Sequence, residues 1–136
     1  MGHARQIGLA GIEYTVLISI AHLSTGSNVS VTAVAQHLRL TGAFITNVCH
    51  RLQAHGLIAK RTDAADRRRV LLTVTAEGRQ RLDELAPVQR RINDVEFGCL
   101  SREEFTQLLD LVERLVDSGD RAVALQSYLS TLDARD

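Results

Sequence analysis

Most of the chain shows the apolar spacing of helices, but between residues 57 and 74 that spacing gives way to two short extended runs. Leu57-Ile58-Ala59-Lys60-Arg61 and Arg69-Val70-Leu71-Leu72-Thr73-Val74 read as strands, and the polar stretch from Thr62 to Arg68 reads as the turn between them. One β-hairpin set into an otherwise helical chain leaves few architectures open. Charge concentrates in the same turn. Asp63-Ala64-Ala65-Asp66-Arg67-Arg68-Arg69 puts three successive arginines at or beside the tip. Like charges on a small turn repel one another and add nothing obvious to folding, whereas a polyanionic partner accounts for them.

The segments before the hairpin read as three helices. Over residues 10–23, Tyr14, Leu17, Ile18, Ala21 and His22 recur at helical spacing, with Val16, Ile20 and Leu23 widening the apolar face. Ser24-Thr25-Gly26-Ser27-Asn28 breaks this helix. Ser30 can cap a short helix over 31–38, with Val31, Val34, Ala35 and Leu38 as its apolar positions. Leu40-Thr41-Gly42 forms a turn, and Thr41 can cap a third helix over about 42–55 with Ile45, Val48, Cys49 and Leu52 inward. His55-Gly56 ends it, since glycine tolerates the positive φ common just past a helix C-terminus.

After the hairpin, Thr75 caps a long helix over 76–97, in which Pro87 predicts a kink or a first break. Ser101-Arg102-Glu103-Glu104 is a capping box that opens a further helix. Phe105, Leu108, Leu109, Val112, Leu115 and Val116 form its apolar stripe, Gly119 stops it, and residues 121–132 add a last helix. The fold class that results is mainly α with a small β-hairpin.

A chain of 136 residues is of ordinary size for one compact domain. It has five Phe or Tyr and no Trp, so Leu, Val, Ile and Ala must build the core. Its formal charge of zero conceals a split. Residues 1–81 carry ten Lys or Arg against four Asp or Glu, and residues 82–136 carry six against twelve. A polyanion is drawn to the first region and repelled by the second. The longest apolar run, Ile12 to Leu23, is broken by Glu13 and His22 and falls short of the roughly 20 residues a membrane span needs. Met1-Gly2-His3-Ala4-Arg5 lacks the order of a secretory signal, so a cytoplasmic protein with no membrane partner is expected.

Two short helices followed by a hairpin with a basic tip make a winged helix-turn-helix, with residues 1–81 as the DNA-binding region and 82–136 as a helical dimerisation region. A helix fits the major groove of B-DNA, where each base pair displays its own donor and acceptor pattern. A hairpin beside it can place arginine in the narrow, electronegative minor groove. On the third helix Thr41, Ala43, Thr46, Asn47, His50 and Arg51 lie outward, with Phe44 near the boundary. Thr46, Asn47 and Arg51 have the chemistry to bond base edges or phosphates, and Asn47 can pair with adenine N6 and N7. Arg61 stands at the end of the first strand.

Asp66-Arg67-Arg68-Arg69-Val70-Leu71-Leu72-Thr73-Val74-Thr75-Ala76-Glu77-Gly78 resembles the wing motif of the MarR (multiple antibiotic resistance regulator) family. Val34-Ala35, Thr46, Arg51-Leu52 and Gly56-Leu57-Ile58 stand at that family's helix-turn-helix landmarks, and Leu100 to Glu104 resembles the start of its final dimerisation helix. The resemblance covers residues 9–118. It implies a homodimer on a pseudopalindromic operator in double-stranded DNA, usually a repressor, released by a ligand near the junction of the two regions. It further implies that Arg68 enters the minor groove with Asp66 orienting it, that Arg67 and Arg69 meet phosphates, and that Thr46, Asn47, His50 and Arg51 face the major groove. Small aromatic carboxylates are frequent ligands of the family, and Tyr14, Ile18 and His22 are the candidate lining here. The sequence departs at Asn47, where many members have arginine, and at His50, where an acidic residue is common. The family's first helix, which ordinarily helps form the dimer interface, is expected to be mostly missing, since the matching pattern begins near Leu9.

Other readings have less support. No Gly-x-Ser-x-Gly, phosphate-cradling glycine loop or His-Glu-x-x-His is present, so neither an enzyme nor a cofactor is expected. Cys49 and His50 are adjacent, hence about 100° apart on a helix, a poor nucleophile and base pair. His37, Cys49, His50 and His55 are of zinc-ligand type, yet positions 50 and 55 fall on different faces, so no metal site is expected and a metal-responsive regulator remains an alternative. Cys49 and Cys99 form no Cys-x-x-Cys pair; two reduced thiols are expected, with a redox switch or a disulfide as alternatives. The acidic helical half also fits a protein-interaction module.

Overall fold

The computed structural model describes residue 9 and residues 11–25 and 28–134. The N-terminal residues tested for a secretory signal, Ala10 at the predicted start of the first helix, and Gly26 and Ser27 of the first break lie outside the described residues. Among the described residues five helices and three strands follow one another. These are α1 (Gly11–Leu23), β1 (Val29–Ser30), α2 (Val31–Leu38), α3 (Gly42–Ala54), β2 (Ile58–Thr62), β3 (Val70–Val74), α4 (Ala76–Phe97) and α5 (Arg102–Asp133). The chain divides into two compact units, Met1–Arg90 and Arg91–Asp136. That boundary falls inside α4, later than the change of charge at residue 81.

In the first unit α2, α3 and α4 each start where a hydroxyl can accept an otherwise unpaired backbone N–H. Ser30 Oγ accepts from Ala33 N at 3.1 Å, Thr41 Oγ1 from Phe44 N at 3.2 Å, and Thr75 Oγ1 from Gly78 N at 3.1 Å. Between α2 and α3 the chain turns through Arg39, whose φ of 59° is left-handed, and Leu40 N donates back to Ala35 O at 3.0 Å. Gly56, at φ 71°, ends α3 and lets Leu57 N reach Leu52 O at 3.0 Å. Ile45, Val48, Cys49 and Leu52 are buried, as their spacing predicts.

The hairpin is antiparallel, with Ile58 opposite Val74, Lys60 opposite Leu72 and Thr62 opposite Val70. A third strand joins it: β1 pairs Val29 with Leu72 and Ser30 with Leu71, so the sheet order is β1-β3-β2. The core packs Val16, Leu17 and Ile20 of α1 with Val34, Ile45, Val48, Leu52, Ile58 and Leu72. Its centre on α1 differs from expectation. Glu13, Val16, Leu17 and Ile20 make the inward row, while Tyr14 and Ala21 are half-buried and Ile18 and His22 are exposed. A glutamate continues the apolar row, and that turns the helix away from the face hydrophobicity alone selects.

Gly78 shows why the hairpin and α4 meet as they do. A β-carbon there would overlap the Leu57 carbonyl oxygen and lie 2.8 Å from Val74 Cγ1. The same carbonyl accepts from Thr75 N at 3.0 Å, and Thr75 Oγ1 donates to Gly56 O at 2.6 Å. The first turn of α4 is thus clamped onto the start of β2.

Two sequence expectations on the later helices need correction. Of the kink or first break expected at Pro87, the break is overturned: α4 runs unbroken from Ala76 to Phe97. Gly119 does not stop the last helix either. Residues 121–132 belong to one helix, α5, of 32 residues. A glycine within a helix costs only about 1 kcal/mol relative to alanine, less than the helix-forming residues on both sides return. The capping box is present, with Glu104 N donating to Ser101 Oγ at 3.1 Å and Ser101 N to Glu104 Oε2 at 2.8 Å. In the second unit, α5 buries no residue in the single chain, and its apolar row from Phe105 to Leu132 is open. Phe97 and Phe105 meet edge to face at 5.4 Å. Among the described residues no helix is long and apolar enough to cross a membrane.

Candidate nucleic-acid interface

With Ile45, Val48, Cys49 and Leu52 turned inward, α3 presents Thr41 at its cap and then Ala43, Phe44, Asn47 and His50 as exposed side chains. Thr46 is half-buried at the edge of this face. Arg51 is placed otherwise than a free groove-facing arginine. Its Nε donates to Glu13 Oε1 of α1 at 2.9 Å, the carboxylate side chain being 7% exposed and the arginine 51%. A nearly buried carboxylate needs its charge met, and Arg51 supplies part of that from the neighbouring helix. Only the lone acid inside the apolar run of α1 signalled this pair in the sequence.

The wing tip is closed by its own backbone. Asp63 N donates to Arg69 O at 3.0 Å, Arg69 N to Asp66 O at 2.9 Å, and Ala65 N to Asp63 Oδ1 at 2.9 Å. The three arginines have different surroundings. Arg69 pairs with Asp63 at 3.6 Å, and Arg67 is exposed. Asp66 Oδ1 accepts from both the backbone N of Arg68, at 3.1 Å, and its Nε, at 3.4 Å. The Arg68 side chain is nonetheless 93% exposed. One carboxylate therefore aims an arginine without covering it. Exposed pairs of this kind contribute at most about 1 kcal/mol to stability, so folding alone gives the cluster little reason to exist.

Helix and wing are joined by a contact the sequence did not announce: Lys60 Nζ of β2 lies 3.1 Å from His50 Nδ1 of α3. The next residue, Arg61, is exposed and opposite Leu71 in the ladder. The remaining sequence candidates are scattered. His37 stacks obliquely with His22, ring centroids 5.9 Å apart, and His55 is exposed at the end of α3. Cys49 is fully buried; burial pushes its thiol up to about 11, a rise partly opposed by the Lys60 charge. Cys99 is exposed. Tyr14, Ile18 and His22 share one outer face of α1, and partial burial raises the Tyr14 hydroxyl above its ordinary value.

Comparison with known proteins places this geometry. Residues 7–69, from α1 to the wing tip, match the model of the MarR family. The transcriptional repressor NicR of Pseudomonas putida KT2440 is 29% identical over 117 residues, covering 84% of this chain and 70% of that protein. The structure of Bordetella bronchiseptica BpsR, whose DNA binding is regulated by 6-hydroxynicotinic acid, is 30% identical with a TM-score of 0.71. That match covers 81% of this chain and 76% of BpsR. Staphylococcus aureus MepR, solved in complex with DNA, superposes with a TM-score of 0.73 over 85% of this chain and 83% of its own, at 22% identity, a likeness of fold. Shared sequence over most of both chains, and a shared fold, put this chain in the MarR family of winged helix-turn-helix transcriptional regulators.

Proposed function

We propose that the protein is a ligand-responsive repressor that binds a pseudopalindromic operator in double-stranded DNA as a homodimer, acting in the cytoplasm by binding rather than by turning over a substrate. The observation that carries this reading is Arg68, an almost fully exposed guanidinium held by Asp66 at the end of a hydrogen-bonded hairpin. Such a group gains most from the negative potential of a narrow minor groove. Arg67 and Arg69 meet flanking phosphates, and Arg61 lies lower on the same hairpin. Asn47 and His50 face base edges in the major groove, beside Ala43 and Thr46, with Thr41 at the backbone. Arg51, its Nε committed to Glu13, keeps its terminal nitrogens for a phosphate.

The open apolar row of α5 supports the homodimer, because a long row of Leu and Val is stable in water only when a partner covers it. For the effector, BpsR is the guide: the ligand named for it is a small aromatic carboxylate. The face of α1 bearing Tyr14, Ile18 and His22 is the candidate contact. The test is selection of duplexes from a random pool, followed by titration of the selected duplex at several salt concentrations. Each phosphate contact adds about −0.9 to the log-log slope of affinity against salt. Added 6-hydroxynicotinic acid releases the duplex if the effector class is right. Failure to retain any duplex at low salt would overturn the DNA-binding reading.

A further inference from the structure

We infer that Lys60 fixes the tautomer of His50, and through it decides which base edges the recognition helix α3 accepts. The inference rests on the proposed DNA-binding role of that helix. A lysine ammonium has three donors and no acceptor, so its 3.1 Å contact with His50 Nδ1 requires a lone pair on that nitrogen. The proton of the neutral ring must then be on Nε2. Among the described residues Nε2 has no hydrogen-bond partner, and the side chain is exposed on the same face as Asn47, one turn earlier. The helix thus presents a fixed N–H donor where a free histidine could present either a donor or an acceptor.

Lys60 is suited to hold it. The residue is half-buried within β2, opposite Leu72 in the ladder, so its stem leaves a paired strand rather than a loop. A donor at this place donates to guanine N7 or O6, adenine N7, or thymine O4, and is repelled by the N4 amino group of cytosine. Sequence preference at this position is therefore set by two residues on different elements, one of which never touches the base.

Two measurements on the full chain decide the matter. Long-range proton–nitrogen NMR of the free protein at about pH 8, where an ordinary imidazole is neutral, reads the tautomer directly. Duplex selection with wild type, Lys60→Met and Lys60→Arg reads its consequence. We expect the Nε2–H form in wild type and exclusion of cytosine at one position per half-site by about tenfold. Lys60→Met should mix the tautomers and lose most of that exclusion, while Lys60→Arg, which keeps a donor, should retain it. An Nδ1–H ring in wild type, or unchanged cytosine exclusion in Lys60→Met, overturns the inference while leaving the DNA-binding reading in place. A wild-type chain that selects no duplex overturns both.

Discussion

Arg51 Nε on the recognition helix donates to Glu13 Oε1 on α1 at 2.9 Å, across 38 residues of sequence. The carboxylate is almost wholly buried and the arginine only half so. Removing the arginine leaves the acid facing the core without this guanidinium. Removing both charges together leaves nothing to desolvate. Arg51→Met should therefore cost about 1–3 kcal/mol, and Glu13→Leu combined with it should recover part of that loss. Chemical denaturation of the two single variants and the double checks this. A coupling of about 1 kcal/mol or more is expected, and strict additivity would show that the pair does not hold α1 to α3.

Gly78 and Gly42 make a matched comparison at the starts of two helices. The β-carbon of Gly78→Ala would enter the Leu57 carbonyl, a backbone atom that can move only by parting β2 from α4. At Gly42 the nearest 4 Å are open. Gly78→Ala should lower stability by about 1–3 kcal/mol, whereas Gly42→Ala should be neutral or gain up to about 1 kcal/mol from the stiffer unfolded chain. Thermal melts of both suffice. Equal effects at the two positions would mean that the close approach at Gly78 is not what requires glycine.

Much of this architecture was legible because the relevant signals are local. Ser30, Thr41, Thr75 and Ser101 announce helix starts through one hydroxyl each, and Ile45, Val48, Cys49 and Leu52 announce a face by spacing alone. What was not legible depends on partners distant in sequence. β1 is two residues long, too short for alternation to appear, and Ser30 already reads as a cap. Glu13 looks like a break in an apolar stripe until Arg51 is brought against it. Lys60 looks like one more base on a basic hairpin until the fold sets it beside His50. Gly119 misleads in the opposite sense: its local signal is real but small, and the turns on either side outweigh it.

At the wing, aim and charge can be separated. Arg68→Ala removes the guanidinium, and Asp66→Asn keeps it while weakening what orients it. Operator affinity should fall by at least about tenfold in the first and by less in the second, with melting temperatures little changed because Arg68 is almost fully exposed and Asp66 is only half-buried. The salt slope should become shallower in Arg68→Ala by about one contact's worth. Wild-type affinity in Arg68→Ala would remove its assigned role.

On α5, Leu115 is 71% exposed within an apolar row that includes Leu108, Leu111 and Val112. If a second copy covers this row, Leu115→Glu buries a charge in the interface, where an unpaired one is costly. Sedimentation at micromolar concentration should show a shift from dimer toward monomer, and operator affinity should fall with it, since two half-sites are no longer bound together. A fully dimeric Leu115→Glu protein would place the interface elsewhere.

Cys49 supplies a prediction on alkaline stability whose sign follows from burial. The thiol is fully enclosed, so the desolvated thiolate is disfavoured and the group is raised from its ordinary 9.0 to about 11, with Lys60 opposing part of the rise. Between those two values the unfolded chain has released the Cys49 proton while the folded chain keeps it. The unfolded state then binds fewer protons, and stability falls as pH rises. Below the lower value both states hold the proton and Cys49 adds no slope. Denaturation midpoints should therefore decline from about pH 9 upward in wild type, and more gently in Cys49→Ala, which starts from a lower stability because a small void replaces the sulfur. The same enclosure makes a second readout available. At neutral pH a thiol reagent should modify the exposed Cys99 rapidly and reach Cys49 only on unfolding. Prompt labelling of both thiols in the native protein would mean that the floor of the recognition helix opens far more readily than its packing implies.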